Sequence, residues 1–260
     1  HCFRPMRMTD PAPSPSPGAK PASSLWSWAP WFLGAGFLVL GLAIWEPLPP
    51  GIWHDDGVYV LLGRALAEGE GLRYLGVADA PPAPKFPPLF PFLLSLVWRV
   101  FPTFPENVPA LAGVNILVTA VGGGVFFSYV KRGLKTPAVL AFLLTILAWI
   151  SAHLWRVAFI PLSEPLFLLC AVLALWAGAR MEKKLGAGPV LLFLALAGLG
   201  VYARSLGVAV LVGGALSLSL GSRRRAALAT AMGGFVLLLP WVVWTRVAAP
   251  SIPGPLRDTL

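Results

Sequence analysis

The sequence is poor in cysteine and in charged residues, and each shortage excludes a class of protein. Cys2 and Cys170 are the only cysteines among the 260 residues, so neither a disulfide framework nor a Cys-based zinc site is expected. Charged residues make up 12% of the chain, against about a quarter in a typical soluble domain. With 57% hydrophobic residues, this composition excludes an ordinary water-soluble globule, because domains of this size keep abundant polar surface.

The few charges that are present are mainly basic. Lys and Arg number 20 against 11 Asp and Glu, which gives a formal net charge of +9. On a soluble protein this excess would suggest binding to nucleic acid. Here the charges stand between long apolar runs and no nucleic-acid module is recognisable, so we expect a protein of the lipid bilayer that does not bind nucleic acid.

Apolar runs long enough to cross about 30 Å of hydrocarbon follow a polar N-terminal tail. Residues 1–24 include PAPSPSPGAKPASS and are predicted to be a disordered cytoplasmic tail. The predicted fold class is all-α, a polytopic transmembrane helical bundle over residues 25–250, with residues 251–260 starting a further outer segment. About seven crossings are expected, at Leu25–Trp45, Val108–Val130, Pro137–Trp155, Leu162–Ala179, Pro189–Ala203, Ser205–Leu220 and Ala226–Val247.

The distribution of basic residues predicts the orientation of the bundle. The tail and three loops on one side hold 12 of the 20 basic residues, but only Asp10 and Glu182 among the acids. Cytoplasmic loops carry an excess of Lys and Arg, so this side and the N-terminus are expected to be cytoplasmic. The richness in Ala, Gly, Pro and Arg fits a bacterial inner membrane.

Residues 46–107 are expected to form one large extracytoplasmic loop with two interfacial helices. Pro88–Phe101 is apolar but only about 14 residues long, and a crossing there would invert every later loop, so we interpret it as an interfacial or re-entrant helix. An amphipathic helix beginning near Asp56 is expected to lie flat on the membrane. Its predicted apolar face consists of Val58, Leu61, Leu62, Ala65 and Leu66.

Ionisable residues on the outer side mark a candidate site, because a charge at membrane depth is costly and often functional. They come from three separate segments and offer cations for a phosphate and carboxylates for proton transfer. Such a pocket suits a substrate that has an anionic head and a lipid tail. The candidates are Asp55, Asp56, Lys85, Arg156, Glu164 and Arg204.

Structural explanations compete with this one for the acidic pair and the lysine. Asp56 could cap the helix that it opens and leave Asp55 free to face the pocket, or both carboxylates could merely cap and solvate the loop. Lys85 lies among prolines that limit the positions its ammonium group can reach. It could bind phosphate or could be a snorkelling lysine beside an interfacial helix.

The other three candidates raise similar alternatives. Arg204 interrupts a long uncharged stretch, which favours a role in the site. Arg156 and Glu164 could simply pair with each other. No cofactor and no metal site are expected, although Asp55, Asp56 and Glu164 could in principle share a divalent cation.

The order of these features resembles that of a known family. An anchor is followed by an outer loop with an acidic pair and Tyr59, then by KFPPLFP, LSEPLF and YARSLG. This order is similar to that of the polytopic GT-C glycosyltransferases, in particular the dolichyl-phosphate-mannose protein mannosyltransferase and aminoarabinose transferase branch. The resemblance runs over nearly the whole chain between the tail and the last residues.

The resemblance implies transfer of a sugar from a polyprenyl-phosphate donor to an unidentified acceptor on the outer side, usually with inversion. It implies that Asp55 is catalytic and that Lys85 and Arg204 hold the donor phosphate. We also expect four further residues to contribute to substrate binding: Asp56, Tyr59, Arg156 and Glu164. The chain departs from the family in having Asp56 where Glu is common, in lacking an acid after Arg204, and in being much shorter. A non-catalytic lipid-linked-sugar binding or translocating protein, or an inactive truncated relative, is the alternative.

Overall fold

The structure, a computed structural model, describes residues 24–251. The predicted tail and the predicted final segment lie outside these residues, apart from Ser24 and Ser251. Within the described range the chain is helical, with one isolated antiparallel bridge between Arg73 and Pro82, and the predicted all-α class is confirmed. The helices are α1 (Ser24–Ala43), α2 (Asp55–Glu68), α3 (Leu89–Val100), α4 (Val108–Ser128), α5 (Ala138–Trp149), α6 (Ala152–Ala158), α7 (Glu164–Lys183), α8 (Ala187–Ala203), α9 (Val208–Leu220) and α10 (Arg224–Ala248).

Four of these helices are long and apolar enough to cross a membrane unaided: α1, α4 with the π-helical turn Tyr129–Gly133 that extends it, α7 and α10. The crossing predicted at Pro137–Trp155 is divided into α5 and α6, which meet at an angle of 62°. The indole Nε1 of Trp155 donates to the carbonyl of Trp149 across this bend, at 2.8 Å. Length and composition therefore give four or five crossings, and the full count of seven, which needs the shorter α8 and α9, stays a prediction.

One end of the bundle, which we call the basic end, is held together by cationic side chains that donate to main-chain carbonyls. Lys131 Nζ donates to Trp26 O at 3.1 Å, which joins the end of α4 to the start of α1. Lys183 Nζ at the end of α7 lies 3.2 Å from the carbonyl oxygens of both Arg132 and Gly133. The opposite end, which we call the site end, contains the starts of α4 and α7 and the ends of α6 and α8.

The loop between α1 and α4 folds as a helical pair. Helix α3 is 12 residues long, about 18 Å, which is too short for a crossing, and it packs against α2. The interpretation of Pro88–Phe101 as a helix that does not cross thus agrees with the structure. The contact is close at Gly63, where an added Cβ would lie 2.7 Å from Leu94 Cβ.

The predicted apolar face of α2 was only partly correct. Leu62 and Ala65 are fully buried, but Val58, Leu61 and Leu66 are only half-buried. The face that packs inward instead includes Tyr59 and Gly63. Helix α3 packs closely against Gly63, and the segment before α7 covers Tyr59. The buried residues of α2 are Asp56, Tyr59, Val60, Leu62, Gly63 and Ala65.

Candidate functional site

A hydrogen-bonded network joins three distant parts of the chain at the site end. The hydroxyl of Tyr59, on α2, donates to Ser163 Oγ at 2.9 Å, just before α7. Arg204, at the end of α8, places Nη1 2.5 Å from Glu164 Oε1 and 3.4 Å from Ser163 Oγ. Helices α2, α7 and α8 therefore meet through Tyr59, Ser163, Glu164 and Arg204, which we call the site network.

Local sequence places Ser163 and Glu164 at the start of a helix, where Ser is a preferred cap and an acid is favoured by the helix dipole. Ser163 makes no side-chain cap, because its hydroxyl accepts from Tyr59 and Arg204. It is completely buried, so these two partners take the place of water. The residue is therefore a junction between the outer loop and the bundle.

A buried asparagine in α4 fixes the connection that carries this junction. Asn115 Nδ2 donates to the carbonyls of Ile160 and Leu162, at 2.6 and 2.8 Å. A buried amide is costly unless it is hydrogen-bonded, so these bonds hold the chain in one position immediately before Ser163. Asn115 was not singled out from the sequence, because a single polar residue in an apolar run gives no indication of its partner.

Arg204 interrupts the helices at the site end. Its backbone is extended, with φ −157° and ψ 136°, between α8 and the 3₁₀ turn Ser205–Gly207. A Cβ on Gly207 would lie 2.4 Å from the backbone nitrogen of Val201, so only glycine fits where the turn folds back on α8. The break directs a guanidinium group, one-third exposed, toward the start of α7.

The two neighbouring acids at the start of α2 have different environments. Asp56 is fully buried, and its oxygens accept from the backbone N–H groups of Gly51 (2.8 Å) and Trp53 (3.1 Å). It orders the turn before α2 and does not cap the helix, whose N-cap is His54. Asp55 is 44% exposed, and its Oδ1 lies 3.7 Å from His54 Nδ1. The expectation that Asp55 is the more accessible member of the pair agrees with this geometry. Both carboxylate oxygens of Asp56, in contrast, accept hydrogen bonds from the backbone.

An aromatic cluster places Lys85 beside the site network. The ring of Phe86 packs edge-on against Tyr59, with centroids 5.1 Å apart, and against Tyr74 at 6.4 Å. Lys85 Nζ lies 5.5 Å from the centroid of the same ring, and the lysine is exposed. Lys85, Tyr59 and Tyr74 thus surround one phenylalanine of the outer loop.

Both tyrosines have raised pKa values. Burial raises the pKa of Tyr59 to about 12, against opposing effects of the Ser163 hydrogen bond and the Arg204 charge. Burial raises the pKa of Tyr74 to about 12 as well, with a smaller contribution from the negative charge of Asp55. The negative charge of Asp55 also makes a small contribution to the raised pKa of Tyr59. Both hydroxyls remain protonated donors at neutral pH.

The alternative that Arg156 and Glu164 pair with each other does not agree with the structure. Glu164 pairs with Arg204, not with Arg156, which is exposed on α6 and has no ion-pair partner among the described residues. Arg156 lies on α6, which ends before the segment that leads to Glu164. The guanidinium group of Arg204, at the break after α8, is directed toward the start of α7 and reaches Glu164 instead. Arg156 therefore lies outside the site network.

The structure gives no support to a cation shared by Asp55, Asp56 and Glu164. Within residues 24–251, no three His, Cys, Asp or Glu side chains converge closely enough to hold a metal ion. The oxygens of Asp56 face the backbone, and one oxygen of Glu164 is bonded to Arg204.

Sequence reasoning also missed Ser163 and Tyr74. A serine before Glu-Pro is typical of a helix start, so its sequence context predicts a cap and nothing more. Tyr74 lies in a loop without periodicity, and only the fold brings it to Phe86 and Asp55. Nothing in the sequence indicated that Ser163 bonds to Tyr59 and Arg204, or that Tyr74 packs against Phe86.

Comparison with known proteins was informative at the level of structure. No family model matches the chain, and no curated protein sequence matches it. Among solved structures, the crystal structure of ArnT from Cupriavidus metallidurans bound to undecaprenyl phosphate superposes with a TM-score of 0.61 at 16% identity. The superposition covers 89% of this chain and 43% of ArnT, so the chain spans less than half the length of that enzyme. The chain described here is a multi-pass membrane protein whose helical fold is similar to that of ArnT.

Proposed function

We propose that this protein transfers a sugar from a polyprenyl-phosphate donor to an acceptor at the extracytoplasmic face of the membrane. The observation that carries the proposal is the site network, which gathers a cation, a carboxylate and two hydroxyl groups at one end of an apolar bundle, with Tyr59 on the same helix as Asp55. The fold supports it, because ArnT has the same architecture and was crystallised with undecaprenyl phosphate. The basic end, rich in Lys and Arg, then faces the cytoplasm.

Arg204 and Lys85 bind the donor phosphate in this proposal. A guanidinium group has five N–H donors, and the contacts with Glu164 and Ser163 involve only Nη1, so donors remain for phosphate oxygens. Lys85 is exposed and adds a compact positive charge from the outer loop. Together they would stabilise the negative charge that stays on the phosphate when the sugar leaves.

Asp55 acts as the general base. Its carboxylate takes the proton of the acceptor's attacking group, a hydroxyl or an amine, while that group bonds to the anomeric carbon of the sugar. The bond between this carbon and the phosphate oxygen breaks, and the electron pair stays on the polyprenyl phosphate. Attack from the face opposite the leaving phosphate inverts the anomeric carbon. Positioning and a good leaving group supply most of the acceleration, because a carboxylate is a weak base.

The donor site can be tested without knowledge of the acceptor. We expect native mass spectrometry of the detergent-purified protein to detect bound undecaprenyl phosphate, and a Lys85→Ala/Arg204→Ala double variant to lose it. A Lys184→Ala/Arg224→Ala variant, which removes the same number of charges at the basic end, should retain the lipid. Equal lipid retention in both double variants would contradict the proposed phosphate site.

The catalytic step has its own test. We expect Asp55→Asn to lower transfer about 10²- to 10⁴-fold, the range typical of a lost general base, while lipid binding and melting temperature stay unchanged. Transfer would be followed by loss of the sugar from a radiolabelled polyprenyl-phosphate hexose in membranes. Undiminished transfer in Asp55→Asn would refute the role of Asp55. Lipid binding by a parent protein that transfers no sugar would favour the non-catalytic alternative.

A further inference from the structure

A groove opens on the outside of the bundle between α1 and α4, near the basic end. It has a volume of about 530 Å³, and along α1 its lining runs from Ser27 to Leu38. Small residues leave this space between the two helices, among them Ala35 on α1 and Gly124 on α4. Trp31, which also lines the groove, is largely exposed, so the groove is open to whatever surrounds the bundle.

The length of the groove suits a lipid chain. From Ser27 to Leu38 the helix rises about 16 Å. One leaflet supplies half of a hydrocarbon core about 30 Å thick, which is close to the same length. A further membrane-spanning helix would extend well beyond the groove, whereas an acyl chain from one leaflet would end with it.

Two guanidinium groups lie at the basic end of this groove. Arg132, in the π-helical turn after α4, is the only charged residue among the lining residues that the structure describes. Arg180 Cζ lies 4.6 Å from the ring centroid of Trp176, which lines the groove as well. Both arginines are exposed, and within residues 24–251 neither side chain has a hydrogen-bond or ion-pair partner. Their N–H donors are therefore available to a ligand.

The neighbouring lysine, in contrast, is committed to the fold. Pro30 lies inside α1 and lacks the N–H group that would bond to the carbonyl of Trp26 in an unbroken helix. Lys131 Nζ donates to that carbonyl instead, at 3.1 Å. Arg132 follows Lys131 directly and satisfies no carbonyl, so its positive charge remains at the mouth of the groove.

The charges around the groove favour an anionic occupant. The segment that precedes α1 contains Arg4, Arg7 and Lys20 with one acid, so its net positive charge opposes binding beside Arg132. Basic pockets between membrane helices bind anionic lipid head groups, and a guanidinium group matches the geometry of a phosphate. Exposed tryptophans such as Trp31 are typical of the level of the head groups. A phospholipid supplies both the phosphate and the apolar chain.

We propose that an anionic phospholipid binds at this place, with its phosphate at Arg132 and Arg180 and one acyl chain in the groove between α1 and α4. The site lies at the opposite end of the bundle from Lys85 and Arg204 and does not depend on the proposed sugar transfer. The lipid contacts α1, α4 and α7 together, because Trp176 and Arg180 belong to α7. A ligand that binds only the folded state stabilises it, so the lipid should raise the melting temperature.

The test compares two phospholipids that have the same acyl chains and differ in head-group charge. Native mass spectrometry would measure binding of phosphatidylglycerol, which is anionic, and phosphatidylcholine, which is zwitterionic, to the detergent-purified full chain. We expect the parent to prefer phosphatidylglycerol about tenfold or more. Arg132→Ala/Arg180→Ala should lower the affinity for phosphatidylglycerol about 10- to 30-fold and abolish its effect on the melting temperature. A parent without this preference would overturn the proposal.

Lys184→Ala/Arg224→Ala is the matched control for charge. It removes two exposed cations at the same end that do not line the groove, and it should change the affinity for phosphatidylglycerol less than about threefold. Equal losses in the two double variants would show a general attraction between the basic end and anionic lipid, and would overturn the proposed site.

Filling the groove tests the position of the acyl chain while both arginines remain. Ala35→Trp places a large side chain in the groove, whereas Val39→Trp, at an exposed position that does not line it, is the control. We expect Ala35→Trp to lower the affinity for phosphatidylglycerol about tenfold and Val39→Trp to leave it unchanged. Full affinity in Ala35→Trp would overturn the proposal. A dimeric parent that Ala35→Trp converts to a monomer would also overturn it, because a second copy would then cover the groove.

A last comparison separates this proposal from the donor site. Lys85→Ala/Arg204→Ala should bind phosphatidylglycerol as the parent does, and a loss there would show that the phospholipid binds at the site end. If the parent retains no undecaprenyl phosphate but binds phosphatidylglycerol through the two arginines, the proposed function fails and the phospholipid site stands.

Discussion

The two ends of the bundle use their cations differently. At the basic end, Lys131, Lys183 and Arg223 donate to main-chain carbonyls of neighbouring helix ends. At the site end, Arg204 bonds to the side chains of Glu164 and Ser163 and leaves other donors uncommitted. Lys183 and Arg223 satisfy carbonyls that the C-terminal ends of helices leave unpaired. Arg204 instead joins side chains and satisfies no backbone group.

This difference separates cations that hold helices together from a cation that can bind a ligand. A carbonyl bonded by Arg223 loses its partner if the side chain leaves, so this arginine is fixed by the needs of the fold. Arg204 bonds only to side chains, and in the proposed function a phosphate replaces Ser163 and shares the guanidinium group with Glu164. Net positive charge alone would have pointed to the basic end, whereas the proposed phosphate site lies at the site end.

We expect the largest difference in ligand binding when one arginine at each end is replaced by alanine. Arg204→Ala should weaken binding of undecaprenyl phosphate about 10- to 100-fold, because a charge-assisted hydrogen bond is lost and Glu164 then repels the phosphate. Arg223→Ala should leave that affinity unchanged and lower the free energy of unfolding by about 1–2 kcal/mol. Lipid titration and chemical denaturation of both variants would check this. Equal losses of affinity at the two ends would break the comparison.

Replacing Asp55 or Asp56 by asparagine compares the stability contributions of two neighbouring acids in one turn of helix. Asp56→Asn should lower the free energy of unfolding by about 1–3 kcal/mol, because an amide group would face the N–H of Gly51 or Trp53. Asp55→Asn, at a half-exposed position, should leave stability within about 0.5 kcal/mol of the parent. Denaturation curves would compare them, with the exposed Asp79→Asn as a control. An unstable Asp55→Asn would show that both acids are structural.

The smallest effect concerns the two buried tyrosines. Their pKa values of about 12 exceed the ordinary value of 10.0, so the folded protein holds both phenolic protons more tightly than the unfolded chain. The free energy of unfolding should therefore be constant with respect to these groups below about pH 10 and should fall as pH rises toward about 12. Tyrosinate absorbance of the parent, Tyr59→Phe and Tyr74→Phe would follow the titration. Ionisation of either group near pH 10 would contradict its burial.

Much of the fold could be predicted from the sequence because long apolar runs have few solutions. Runs near 20 residues must be helical in a membrane, where backbone groups have no water to bond. Predicted boundaries for α1, α7 and α10 lie within a few residues of the observed ones. The bend between α5 and α6 was missed, because Ser151 and His153 alone do not indicate a break in a largely apolar run. The bond from Trp155 to Trp149 across the bend depends on the fold.

The candidate site was predictable only as a set of residues on one side. The outer position of Asp55, Glu164 and Arg204 followed from counting crossings and basic loops. Their pairing did not, and the partner that the sequence suggested as an alternative for Glu164 was Arg156, which is nearer in the chain. A long-range ion pair depends on where two helix ends meet, and a single sequence carries no record of that.

The sequence by itself determined that this is a helical membrane protein, which end is basic, and which few charges lie at the other end. Composition and run length decide these features, since the cost of placing charge in hydrocarbon does not depend on tertiary detail. Only the tertiary structure decided that Asp56 is buried while Asp55 is free, and that Tyr59 reaches Arg204 through Ser163. It also decided that the Tyr74 hydroxyl is buried without a hydrogen-bond partner among residues 24–251, with its ring against Phe86. These relations depend on distances between parts of the chain up to 145 residues apart, which packing alone sets.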